Sequence, residues 1–224
     1  MREFNLLSKY PKSKSKRVVS EGLRTIESRI VASERGFDFF DGERNSGYGG
    51  FKYDGRWKPI VEDILANYNL TANSKVLHIN SEKGFLLHDL SQALPGIEVV
   101  GTETSAYAIS KTIDEVRDKI IFTEPTKLPF NDDYFDFVIG LGVIYTLNIV
   151  DAIKALREII RVSKKCAFVT LASYEDEYDY FLFKRWTLLG TTILKKEEWI
   201  KILEYCEYGG DYFFTNSTVL ELTT

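Results

Sequence analysis

Residues 75–93 read KVLHINSEKGFLLHDLSQA, and this stretch decides the fold class. Five residues with β character (75–79) run into five polar or glycine residues (80–84). Apolar side chains at helical spacing follow over residues 85–93, so the spacing predicts strand, tight loop, helix. Outward from this unit the alternation continues. Residues 97–101 (IEVVG), 120–122, 135–139 (FDFVI) and 167–171 (AFVTL) are strand candidates, and residues 59–69, 105–117, 150–162 and 196–206 carry helical patterns. Strands alternating with helices predict right-handed crossovers and a mostly parallel sheet with helices on both faces. Residues 212–215 and 218–223 are both β-like and close enough to predict a C-terminal antiparallel hairpin.

The ends differ from the body in charge. The net charge of -4 divides into +5 over residues 1–35, with nine Lys/Arg against four Asp/Glu, and -9 over the remainder. Such a basic head has two readings, a nucleic-acid or anionic-lipid contact and a solvated arm packing on the acidic domain of its own chain or of a partner. The head lacks interleaved basic and aromatic residues, which disfavours nucleic acid. A short amphipathic helix is expected over residues 20–35, with Leu23, Ile26, Ile30 and Val31 on one stripe. Residues 37–57, FDFFDGERNSGYGGFKYDGRW, then interleave five glycines with six Phe/Tyr and a Trp, the composition of an ordered lid rather than a linker. The division expected is residues 1–56 for arm, helix and lid, and 57–224 for the α/β domain.

The 224 residues, 44% apolar and 28% charged, support one core and argue against disorder. Cys166 and Cys206 are too widely spaced for a CxxC site and too few for a disulfide framework, so no structural metal is expected. The longest apolar run, residues 138–147, is about half a membrane span. A soluble, cytoplasmic protein without membrane insertion is the expectation.

Ligands of open parallel sheets bind beyond the carboxyl ends of the strands. The loops there read HINSEKGFLLHDL (78–90), GTETSAYAI (101–109) and TEPTKLPFNDDYFDFVIG (123–140). Together they resemble the class I S-adenosylmethionine (SAM)-dependent methyltransferases over roughly residues 57–224. YGGFKYDGRW (48–57) and WTLLGTT (186–192) resemble a narrower branch found among bacterial surface-polysaccharide modification enzymes. The resemblance implies a Rossmann-like class I methyltransferase fold with a seven-stranded sheet and SAM as cofactor. The acceptor it implies is a small polar molecule, a sugar or phosphorylated precursor.

The resemblance also implies site residues. The family's first loop reads roughly Asp-x-Gly-x-Gly-x-Gly, and the corresponding residues are His78, Asn80, Glu82 and Gly84, of which only Gly84 matches. Glu103 stands where the family's ribose-binding acid stands. Glu124 can accept from the adenine amino group, whereas Pro125 lacks the N–H that would reach a ring nitrogen. A carboxylate at Glu82 would face the methionine carboxylate, with Lys83 beside it as a compensating charge, and His78 cannot replace an ionised Asp. The combined loss is on the order of 3–6 kcal/mol, or about 10²- to 10⁴-fold in affinity. A catalytically silent partner of an active homologous methyltransferase is therefore the alternative to an enzyme. For catalysis the candidates are His78 as base and Tyr145, and His88 reads as structural. For the acceptor they are Arg44, Tyr48, Tyr53, Arg56 and Trp57, where two arginines among aromatics suit an anionic sugar or merely pair with Asp41 and Asp54.

Overall fold

Along Lys75–Ile79, Val76 packs into one apolar cluster while Leu77 and Ile79 pack into another. The same division recurs at Phe137 against Val138 and at Phe168 against Val169, because side chains alternate along a strand. Each face of the sheet therefore carries its own core, as a parallel sheet sandwiched between helices requires.

The computed structural model describes residues 1–13 and 16–224. In chain order these form β1 (Arg2–Glu3), β2 (Arg17–Val18), α1 (Ile26–Ser33), α2 (Phe37–Phe40), α3 (Lys58–Tyr68), β3 (Lys75–Ile79), α4 (Phe85–Ala93), β4 (Glu98–Glu103) and α5 (Ala106–Ser110). Then come β5 (Ile120–Phe122), β6 (Phe135–Gly140), α6 (Ile149–Val162), β7 (Ser163–Tyr174), α7 (Glu177–Trp186), β8 (Leu194–Lys195), α8 (Lys196–Tyr205), β9 (Asp211–Thr215) and β10 (Leu222–Thr223). The main sheet runs β1-β9-β7-β6-β3-β4-β5, with β8 beside β7, and every pairing is parallel. Strand order reverses at β3, which places a crevice beyond the ends of β3 and β6.

Three expectations change. The C-terminal hairpin does not form: β9 pairs in parallel with β7, from Phe168↔Asp211 to Ala172↔Thr215. Beyond it the chain turns on itself through Val219 N–H to Asn216 Oδ1 and Leu222 N–H to the Ser217 carbonyl. Only Leu222–Thr223 is extended, and it pairs with Arg17–Val18. The helix expected over 105–117 stops at Ser110, because the Ile113 N–H turns away to the Lys83 carbonyl, and Asp114–Lys119 continues as a separate 3-10 turn. The apolar stripe of α1 is not buried, since Ile26 and Ile30 are 64% and 58% exposed. Its Arg29 faces the body instead, donating to the carbonyls of Lys184 and Thr187.

The basic arm packs on its own acidic body. β1 covers the edge of β9, Arg2 forks onto Asp211 at 2.6 and 3.1 Å, Lys9 pairs with Asp63, and Lys12 pairs with Glu221. Leu6, Phe39, Phe40 and Phe51 join Ile60 and Val76 in one core. Leu6 is fully buried. Leu6→Ala should therefore lower unfolding free energy by about 2–4 kcal/mol, read as a shifted urea midpoint at unchanged slope. A solvated arm would show no shift.

Candidate active site

The loop after β3 holds Asn80, Glu82 and Gly84 at φ of 53°, 54° and 76°. All three positions are left-handed, the conformation that glycine adopts at no cost and other residues at about 1–2 kcal/mol. The loop thus holds three left-handed positions of which only one is glycine. Gly84 has no such freedom, because a Cβ there would lie 2.9 Å from Val116 and 3.0 Å from Thr112. Asn80 and Glu82 instead line open space.

Glu103 ends β4 with no exposed surface. Its Oε1 accepts from Arg35 Nη2 at 2.8 Å and from the N–H groups of Thr104 and Ser105 at 2.8 and 2.9 Å. Its Oε2 accepts from the Glu82 N–H at 2.8 Å. The lid is fastened to the same loop. The buried Lys83 donates to both oxygens of Asp41 at 2.7 Å and to the Phe51 carbonyl, so it does not pair with Glu82. Tyr107 also donates to Asp41.

Two adjoining cavities, about 270 and 400 Å³, open beyond the strand ends and share Tyr48, Asn80, Glu82, Gly142 and Tyr145. Arg44 lines the smaller, together with residues 186–189 of the WTLLGTT stretch, and His78 and Trp57 line the larger. Other sequence candidates stand apart. Arg56 pairs with Asp54 and Tyr53 donates to Asp89, and neither lines these two cavities. Glu124 is exposed, Pro125 is buried, and they, like Gly84 and Glu103, lie off both cavities. Sequence reading missed Arg17, Arg24 and Arg35, which bring the basic arm to the cavity walls. Their only signal was the excess of arginine in the head.

Titration behaviour separates the candidate bases. Burial pushes the His78 imidazole down to about 3 and leaves Nδ1 without a partner, so at neutral pH it is uncharged and a weak base. Burial pushes the Glu82 carboxyl up to about 7, against the pull of the Tyr48 hydroxyl that donates to it and of Arg35. A carboxyl with a pKa near neutrality suits proton abstraction better. Burial, with a smaller contribution from Glu82, raises the Tyr145 phenol to about 12, so it serves as a donor rather than a base.

Comparison with known proteins places this geometry. Residues 77–170 match the family model described as Methyltransferase domain. Among solved structures, YcgJ from Bacillus subtilis is 19% identical and aligns over 65% of this chain and 66% of its own, just under two thirds, with a TM-score of 0.53. The Haloferax volcanii protein crystallised with the Trm112 methyltransferase activator is 18% identical, covering 80% and 75%, with a TM-score of 0.55. The [4+2]-cyclase SpnF is 17% identical over 86% and 75%, with a TM-score of 0.57. Among curated proteins nothing matches the chain. The fold is that of the class I methyltransferases, and the match to the methyltransferase-domain model is confined to residues 77–170.

The residues present do not fit SAM bound in the family's manner. Glu103 is sealed and its Oε1 saturated, and the Glu82 side chain stands in the space that the two cavities share. Among the described residues no cluster of His, Cys, Asp or Glu could hold a metal, and no helix is long and apolar enough to cross a membrane.

Glu82 makes stability depend on pH. Its folded pKa lies above the ordinary 4.5, so its contribution is complete below about pH 4.5 and fades as pH rises through about 7. The half-buried side chain limits the effect to about 1–2 kcal/mol. Glu82→Gln should therefore gain stability relative to the native protein between pH 5 and 8 in parallel urea titrations. A constant difference across that range would refute the shifted carboxyl.

Proposed function

We propose that the chain is a SAM-dependent methyltransferase acting in the cytoplasm on a small polar acceptor, a sugar or phosphorylated precursor, in bacterial surface-glycan biosynthesis. The observation that carries this reading is the loop after β3, whose left-handed backbone at residues 80, 82 and 84 lies inside the matched methyltransferase-domain segment. The acceptor class rests on the YGGFKYDGRW and WTLLGTT stretches, both of which contribute residues to the cavity walls. Cofactor entry requires Arg35 to leave Glu103. Glu82, at the junction of the two cavities, is placed to take a proton from an acceptor hydroxyl, with Tyr48 holding its carboxyl in position.

The Arg35–Glu103 contact supports a second reading, a catalytically silent partner of an active homologue, because it closes the ribose position with the chain's own side chain. Calorimetry with S-adenosylhomocysteine separates the two. The native protein should bind weakly, and Arg35→Ala should bind at least tenfold more tightly, since a charge-assisted contact is worth about 1.5–3 kcal/mol. If neither binds at millimolar ligand, but adding His78→Asp, Asn80→Gly and Glu82→Gly to Arg35→Ala creates binding, the silent reading replaces the enzyme.

A further inference from the structure

Four arginines of the arm and lid lack carboxylate partners among the described residues. Arg24 donates only to the Trp186 carbonyl and stacks on its indole at 4.1 Å, Arg44 donates to the carbonyls of Gly47 and Tyr48, and Arg17 donates to the Leu220 carbonyl. Arg29 bonds only to carbonyls behind them. Carbonyl oxygens satisfy donors but neutralise no charge.

Arg24, Arg35 and Arg44 line the smaller cavity, and Glu82 is the one carboxyl among its described lining residues. Arg35 is already matched by Glu103. Arg24 is only 8% exposed, and both it and Arg35 sit in left-handed backbone, at φ of 52° and 49°. Burial and the neighbouring Arg44, Arg29 and Arg17 lower the Arg24 guanidinium to about 10, still charged at neutrality but repelled by these three arginines. The Nε groups of Arg17, on the adjoining cavity, and of Arg35 are buried without a hydrogen-bond partner. Desolvated like charges in strained backbone stabilise nothing by themselves; a bound anion would relieve the repulsion and take up the free donors.

We propose that the joined cavities bind a phosphate-bearing small molecule of monosaccharide size, with Arg24 and Arg44 gripping the phosphate and Arg17 beside them. Planar guanidinium groups offer paired N–H donors that match phosphate oxygens. The apolar walls from Tyr145, Phe183 and Trp186 suit the carbon face of a sugar. This deepens the acceptor reading above and rests on it only for the statement that the ligand is then methylated.

The test is calorimetry at low salt on the full chain with glucose 1-phosphate, pyrophosphate, malonate and glucose. Glucose 1-phosphate and pyrophosphate should bind at submillimolar levels, glucose should not bind, and malonate should bind at least tenfold more weakly. Arg44→Gln, at an exposed lid position whose own bonds go to carbonyls, should weaken phosphate binding at least fivefold. Arg24→Gln should weaken it at least tenfold if it folds, and the exposed Arg157→Gln on α6 should leave it unchanged. No binding of either phosphate compound, equal loss in the Arg157 variant, or tighter malonate binding would overturn the proposal. Phosphate binding without S-adenosylhomocysteine binding would keep this site and remove the methyl-transfer reading. The reverse outcome would remove this site and keep that reading.

Discussion

The carboxylate of Glu103, fully buried at the end of β4, is the constraint around which the arm, the loop and the sheet are arranged. Breaking a buried pair by removing one partner typically costs about 3–5 kcal/mol, so such a charge requires its donors in place. The donors come from three parts of the chain. The Ser105 N–H comes from the start of α5, the Glu82 N–H from the loop after β3, and the guanidinium of Arg35 from the arm. The left-handed backbone at Arg35 and Glu82 belongs to the same arrangement, since these are residues that deliver donors to the carboxylate. One acid thus ties the first 35 residues to the strand ends and explains why a basic arm is ordered on the body.

The same interaction sets stability against access. Any incoming group that bonds to Glu103 competes with a guanidinium already held by that charge, and its apparent affinity falls by the fraction of molecules in which Arg35 has withdrawn. Glu82, on the neighbouring loop, lines both cavities and narrows the same region. Neither feature disturbs the core, however. Val116 and Thr112 pack closely on Gly84, so the core beneath the loop is complete whatever side chains stand at residues 80 and 82.

Periodicity exposed the parts of the chain whose environment is symmetric. β3, β4, β6 and β7 are buried on both faces, and their apolar runs stand out for that reason. The helix over residues 150–162 was legible because its apolar stripe faces the core while Asn148 caps its start. What failed was set by contacts distant in sequence. β9 is parallel because it adds to β7 and in turn accepts β1, a residue pair from the opposite end of the chain. The stripe on α1 misled because Arg29, rather than Ile26 or Ile30, finds partners on the body. At the site, the loop positions 78, 80, 82 and 84 could be read from their spacing, but Arg24 and Arg35 could not. Only the folded chain brings residues 24 and 35 against residues 186 and 103.

The division of charge along the sequence takes on a spatial meaning in the cavity. Arg2, Lys9 and Lys12 spend their charge on Asp211, Asp63 and Glu221 at the surface, where such pairs contribute little to stability. Arg35 meets a fully buried carboxylate. Arg17, Arg24 and Arg44 form no carboxylate ion pair among the described residues, and they converge on cavities whose lining carboxyls are Glu82 and Glu221. Burial raises the Glu82 carboxyl to about 7, so it is only partly ionised at physiological pH, while Glu221 is already paired with Lys12, and the low dielectric of the walls strengthens the remaining field. The positive excess of the arm is therefore neutralised over the outer surface and concentrated where the strands end, which is the part of this fold that meets its ligands.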